Sequence, residues 1–125
     1  MNDRTVDQPS QRNLLETFPN PAPERNYRIV HTCSEFTSVC PKTGQPDFAE
    51  IVVEYVPDAL CLELKALKLY YYSFRECGIY YEGVVNAILN DLVAVCRPRQ
   101  MRIEGRFNVR GGITSVVTAE YTAGV

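Results

Sequence analysis

Met101, Ile103, Gly105, Phe107 and Val109 alternate one by one with Arg102, Glu104, Arg106, Asn108 and Arg110. This period of two constrains the fold more than any other feature of the chain. A strand built from it is apolar on one side and charged on the other. Helices therefore cover such a sheet on one face only, and the opposite face stays wet. The Arg-Gly-Gly turn at Arg110 then leads into a further strand from Ile113 to Tyr121. The covering helices are legible too. Val85, Ile88, Leu89, Leu92 and Cys96 recur at three- and four-residue spacings, with Pro98 just beyond, which predicts a helix from about Glu82 to Cys96. From Lys65 to Cys77, a second helical face carries Leu67, Tyr70, Tyr71 and Phe74, with Gly78 as the left-handed residue that closes it.

Upstream, Tyr27, Ile29 and His31 alternate with Arg28, Val30 and Thr32 as a first strand. A second strand runs from Phe48 to Val56 until Pro57 stops it, and a short extended piece covers Leu60 to Leu64. The order is strand, strand, helix, helix, strand, strand: an α+β domain whose antiparallel four-stranded sheet carries two helices inserted between strands 2 and 3. Residues 1–26 hold Pro9, Pro19, Pro21 and Pro23 among polar side chains and read as a flexible N-terminal arm, leaving residues 27–125 as the single domain. At 125 residues the chain supports one small core. Edge strands of such a sheet need partners, and continuing the sheet from subunit to subunit supplies them, so a homo-oligomer is expected.

Apolar residues make up 46%, charged residues 22%, and the net charge is −2. That balance gives no electrostatic reason to expect direct nucleic-acid or membrane binding. No apolar window reaches bilayer length and the first residues carry no apolar leader core, so the expectation is a cytoplasmic protein. The five cysteines form no CxxC pair, so reduced thiols are expected; with His31 the only histidine, no metal is expected either. His31 itself sits in an alternating strand, where a hydrogen-bonded structural role competes with a catalytic one.

Chemistry concentrates at Cys40. Pro41, Gly44 and Pro46 exclude helix and central strand around it, which places the thiol on a loop between two strands. The ammonium of Lys42 would favour the reactive thiolate, and Asp47 stands in position to move protons. Neither a GxGxxG dinucleotide fingerprint nor a phosphate-binding P-loop is present. The residues alone leave the reaction open.

Four segments decide it: EFTSVCPKTGQPDF at 35–48, ELKALKLYYYSFR at 63–75, YYEGVVNAILNDL at 80–92 and RGGI at 110–113. In order and spacing they resemble the NADPH-dependent 7-cyano-7-deazaguanine reductases of queuosine biosynthesis, in their short single-module form. The resemblance implies a tunnelling fold, with sheets joined across subunits in a ring, and a decamer of two pentameric rings. It implies four-electron reduction of the nitrile of 7-cyano-7-deazaguanine to 7-aminomethyl-7-deazaguanine with two NADPH. Cys40 matches the nucleophile that forms a covalent thioimide, and Asp47 the acid/base residue. Glu82 matches the carboxylate that reads the purine-like base, although a carboxylate there also suits a helix start. Tyr81 falls beside it on the substrate side. Glu63 and Leu64 open the ELKALKLY motif, Glu63 either contacting substrate or holding the motif in place. Lys65, Lys68, Arg110 and Gly111 match cofactor-binding positions, the glycines allowing close backbone approach. Many members carry histidine at position 81. A phenol, with a pKa of about 10, is a poorer proton source near neutrality, which leaves Asp47 acting alone or Tyr81 orienting the intermediate. Two other functions are consistent with the residues: another purine or pterin enzyme on the same fold, such as a zinc-dependent cyclohydrolase, and a non-catalytic deazapurine-binding ring. The sequence leaves open whether Cys33 pairs with Cys40 on oxidation.

Overall fold

In the computed structural model, which describes residues 2–3 and 11–124, the predicted alternation becomes the centre of a sheet. The elements in chain order are β1 (Asn2–Asp3), a 3-10 turn (Arg12–Leu14), β2 (Thr17–Pro19), β3 (Ile29–Val39), β4 (Pro46–Val56), β5 (Leu60–Leu62), α1 (Leu64–Tyr72), β6 (Cys77–Gly78), α2 (Tyr81–Cys96), β7 (Gln100–Arg110) and β8 (Ile113–Thr122). The main sheet runs β1-β6-β3-β4-β7-β8, and β2 pairs with β5 separately. Within it, β3, β4, β7 and β8 are antiparallel neighbours and the α+β order of those four strands and two helices holds, but the sheet is not the expected four-stranded antiparallel one: the two-residue strands β6 and β1 extend it by parallel pairing beside β3.

Both helices cover one face. Ile51, Val53 and Tyr55 of β4 and Met101, Ile103 and Phe107 of β7 are buried against Val84, Val85, Ile88 and Leu92 of α2. Gly105 sits among them because nothing larger fits: a Cβ there would lie 2.8 Å from the Phe107 ring and 2.8 Å from a Val85 methyl. The glycine thus sets how closely α2 lies on β7. On the other face the charges form a ladder in register, Glu54 opposite Arg102 and Glu50 opposite Arg106. Arg106 reaches Glu50 at 2.8 Å and Arg102 reaches Glu104 at 2.8 Å. The Arg106–Glu50 pair is exposed and adds little stability, whereas Glu104 is itself buried and needs its arginine partners. Their consequence is register, since a slip by one residue would push these charges into the core.

A second tie is polar. Asp91, fully buried in the middle of α2, accepts hydrogen bonds from the Tyr70 hydroxyl of α1 at 2.5 Å and from Arg12 Nε at 2.9 Å. One carboxylate therefore pins both helices and the N-terminal segment, and a buried charge needs such partners.

Three further expectations change. The flexible arm does not extend to residue 26: residues 11–26 are docked, with Leu15 and Asn20 buried, β2 paired to β5, and Asn20 Nδ2 donating to the Asp58 carbonyl at 2.7 Å. Proline and polar content concealed a short strand that needs only three residues of partner. The rest of the expected arm, residues 1 and 4–10, lies outside the described residues. Gly78 does not close α1. The helix ends at Tyr72 and the chain continues through tight turns, Phe74 N–H to Tyr71 and Cys77 N–H to Phe74, into β6, which contains Gly78. The apolar repeat ran on to Phe74 because that ring is buried from a turn as effectively as from a helix. Val109, expected on the apolar face, is 62% exposed, because the β7–β8 register shifts between Phe107 and Arg110.

Gly105→Ala is expected to destabilise the fold by about 1–3 kcal/mol through overpacking, read as a lower urea midpoint with an unchanged slope.

Candidate active site

Cys40 follows the last residue of β3 and opens a closed turn: its N–H donates to the Gln45 carbonyl at 2.9 Å and its own carbonyl accepts from Gly44 N–H at 2.8 Å. Gly44, at φ 74°, takes the left-handed conformation that this closure requires. The sulfur is half-buried rather than lost in the core. A hydrogen bond from the Thr43 hydroxyl, followed by the backbone N–H groups of Thr43 and Lys42, holds the thiol below its ordinary pKa; desolvation and the charge of Asp47 work the other way. The expectation that the Lys42 ammonium activates the thiol is thus replaced by hydrogen bonds of the turn itself.

Asp47 is the second residue of β4, just past the turn, and is 5% exposed. Its Oδ1 lies 2.7 Å from Arg110 Nη2, and the Tyr81 hydroxyl donates to it across 3.4 Å. Arg110 also donates to Gln45 Oε1 at 2.6 Å and to the Pro46 carbonyl at 2.8 Å. Tyr81 is held by face-to-face stacking on Phe107, ring centroids 3.9 Å apart and 12° between planes. Burial, then the Asp47 charge, raises the Tyr81 phenol pKa, with Arg110 opposing. Tyr81 therefore acts as a hydrogen-bond donor at neutral pH. Glu82, next along α2, is exposed in the helix's first turn. Cys40, Asp47, Tyr81, Glu82 and Arg110 thus gather at one end of the sheet, because β6 hydrogen-bonds beside β3 and Ile79 N–H donates to the Val39 carbonyl at 3.0 Å.

The ELKALKLY residues lie elsewhere. Glu63 caps α1, its carboxylate accepting from Lys65 N–H at 3.0 Å and Ala66 N–H at 2.8 Å, and those two bonds lower its pKa. Leu64 and Lys68 line a cavity of about 450 Å³ between α1 and β3, together with His31, Cys33, Tyr71 and Arg75. Lys65 is exposed beside it. The Tyr71 hydroxyl is buried and has no hydrogen-bond partner among the described residues. Gly111 and Gly112 have φ of 60° and 79° with nothing within 4 Å of an added Cβ, so turn geometry explains them and close approach does not. Cys33 lies within β3 and Cys40 directly after its end, seven positions on. Both are free thiols, and the extended strand between them keeps them apart.

Three contributors escaped the sequence reading. Thr43 carried a signal, a hydroxyl three residues after the thiol in a turn-rich loop. Phe107 read only as a core residue. Ser38, in register with Asp47, has a buried hydroxyl without a partner among the described residues, and its place in an alternating strand gave no sign of that. Among the described residues no helix is long and apolar enough to cross a membrane, and no group of three or more His, Cys, Asp or Glu is placed to hold a metal.

Because the thiolate is the reacting form, alkylation of Cys40 by iodoacetamide should reach half its maximal rate at lower pH than an ordinary thiol. Thr43→Val should move that midpoint upward, followed by peptide mass spectrometry; an unmoved midpoint would remove Thr43 from the account.

Comparison with known proteins identifies relatives of the chain. A family model described as QueF-like protein matches residues 46–124. The NADPH-dependent 7-cyano-7-deazaguanine reductase of Nitrosococcus oceani is 60% identical over 114 residues, covering 90% of this chain and 88% of that protein. Its counterpart from Magnetococcus marinus is 55% identical over 111 residues, covering 89% and 87%. Among solved structures, the archaeosine synthase QueF-Like in the apo form superposes with a TM-score of 0.68 at 26% identity, over 80% of this chain and 95% of that one. The chain belongs to the QueF-like family of NADPH-dependent 7-cyano-7-deazaguanine reductases.

Proposed function

We propose that this protein is a cytoplasmic NADPH-dependent nitrile reductase that converts 7-cyano-7-deazaguanine to 7-aminomethyl-7-deazaguanine in queuosine biosynthesis. The observation that carries the reading is an activated thiol on a closed turn beside a buried, anchored carboxylate. Attack of Cys40 Sγ on the nitrile carbon forms a C–S bond while one C–N π pair moves to nitrogen. The thiol proton reaches that nitrogen through Asp47, giving a thioimide with no net gain or loss of protons. The four-electron reduction needs two hydrides and two protons: NADPH, one molecule for each hydride, would supply the hydrides when bound, and Asp47 would relay each matching proton from solvent to the nitrogen. Between the two hydrides, departure of the Cys40 thiol leaves an imine, which Tyr81 orients through its hydroxyl and shields with its stacked ring.

Glu82, exposed at the start of α2, accepts the paired N–H donors of the base edge. The cavity beside α1 fits part of the cofactor: Lys68 and Arg75 offer cations for phosphates, Lys65 adds a third nearby, and Leu64 and Leu67 form an apolar wall. Its volume of about 450 Å³ falls within the usual range for ligand sites. The thiol group and this cavity lie on different parts of one chain. Assembly of a tunnelling-fold ring, two pentamers making a decamer, would bring the thiol group of one subunit to the cavity of the next. Exposed Ile113 and Val116 on the edge strand β8 support such sheet-to-sheet joining.

Incubation of the protein with 7-cyano-7-deazaguanine should give a covalent adduct by intact mass, absent in Cys40→Ala, and substrate-dependent NADPH oxidation should be lost in the same variant. No adduct together with no NADPH oxidation in the unmutated protein would refute the activity.

A further inference from the structure

We propose that Ser38 is a positioning residue for the protonated form of Asp47, its hydroxyl oxygen accepting the carboxyl O–H while Asp47 carries a proton between Cys40 and the substrate nitrogen. The inference rests on the nitrile-reductase reading and adds one residue to its proton transfers. It begins from a hydroxyl that costs stability. Ser38 is fully buried, and its Oγ has no hydrogen-bond partner among the described residues. Alanine would fill nearly the same space and leave no polar atom unpaired. A buried orphan of this kind calls for an explanation, and one beside a working carboxylate has a chemical one.

The sheet puts the two side chains together. Ser38 is the register partner of Asp47 on the β3–β4 ladder, between the pairs Thr37 with Phe48 and Val39 with Pro46. Directly opposed residues share a face, with Cβ atoms about 4.5–5.5 Å apart, so a turn about χ1 carries Oγ within reach of the carboxyl group. Asp47 faces three other groups: Arg110 from the end of β7, Tyr81 from α2 and the Cys40 thiol from the turn. Arg110 and Tyr81 both meet Oδ1, at 2.7 Å and 3.4 Å, and no contact described reaches Oδ2. Both act as donors, which serves the ionised carboxylate.

The neutral acid needs the opposite. Once Asp47 has taken the Cys40 proton, Oδ1 still faces two donors, so the proton belongs on Oδ2, where a buried O–H requires an acceptor. A guanidinium offers none. The serine oxygen has free lone pairs, and the ladder sets it on the right face to present them. Ser38 does not trap the proton there. An alcohol oxygen is a far weaker base than a nitrogen receiving the nitrile π pair, so the proton moves on as the C–S bond forms. Atoms balance: sulfur loses a proton and gains a bond to carbon, nitrogen gains the electron pair and the proton, and Ser38 ends unchanged.

The test is the pH profile of adduct formation with 7-cyano-7-deazaguanine in the absence of NADPH, timed by intact mass on the full chain, together with the urea midpoint. The reacting state holds one proton between Cys40 and Asp47, so the profile has an acidic limb from the carboxyl group and an alkaline limb from the thiol. Ser38→Ala should slow adduct formation by about twofold to tenfold and move the acidic limb to lower pH, because the acid form has lost its acceptor and forms less readily. The alkaline limb should stay, and the urea midpoint should not fall, since the hydroxyl removed had no partner. Ser38→Thr, which keeps a hydroxyl, should return the acidic limb toward its original place. Adduct formation in Ser38→Ala at the unmutated rate, with an unmoved acidic limb, overturns the proposal and leaves the reductase reading intact. So does a Ser38→Ala chain that fails to fold, or one slowed by the same factor at every pH, because the hydroxyl then acts through packing alone. Absence of adduct in the unmutated protein instead overturns the nitrile-reductase reading, and this inference with it.

Discussion

The contact of α2 with β7 at Gly105 governs the rest of the molecule. With only a hydrogen where a Cβ would strike Val85 and Phe107, the helix settles directly on the sheet, and Val84, Val85, Ile88 and Leu92 fill the space above β4 and β7. The same closeness lays Phe107 flat beneath Tyr81 at the first turn of α2. A packing constraint in the core is thereby transmitted to the end of the sheet where Tyr81 meets Asp47. Close-packed interiors pass on small displacements in this way because they hold no slack to absorb them.

Polar contacts finish what apolar packing begins. Asp91 joins α1, α2 and the N-terminal segment at one buried point, and the charge ladder on the far face fixes strand register. The site follows the same pattern. Arg110 comes from the last part of the sheet to secure a loop formed by the first part, so thiol, carboxylate and phenol depend on a chain closure about 65 residues long, as counted between Gln45 and Arg110. Each group is positioned by a different element: Cys40 by its own turn, Asp47 by the start of β4, Tyr81 by α2. No single segment contains the site.

Much of this could be read in the residues. The alternation from Met101 to Phe107 and the repeat through Ile88 and Leu92 are local signals, since the period of a strand or helix is written in consecutive residues, and the four strands and two helices appear in the order those periods gave, with the first strand running on to Val39 and α1 stopping at Tyr72. The nucleophile loop was equally legible, because proline and glycine restrict φ whatever surrounds them. Less legible were the features decided between distant segments. Leu15 and Asn20 sit in a polar, proline-bearing stretch, and their burial depends on β5 and Asp58, about 40 residues away by the Asn20 to Asp58 separation. Phe74 kept the helical period although the helix had ended, since burial and helicity are separate properties. Val109 kept the strand period past a register shift that only pairing with β8 creates.

By itself the sequence determined the element types, the two-faced character of the sheet, the loop setting of Cys40 and membership of a family through four ordered motifs. Tertiary structure decided what each charged and polar group is paired with. It paired Arg110 with Asp47, moved the influence on the Cys40 thiol from the Lys42 ammonium to the Thr43 hydroxyl, and made Glu63 the cap of α1. The reason is range. Backbone preference and hydrophobic period act over a few neighbouring residues, whereas an ion pair or hydrogen bond forms with whatever group the fold brings within about 3 Å.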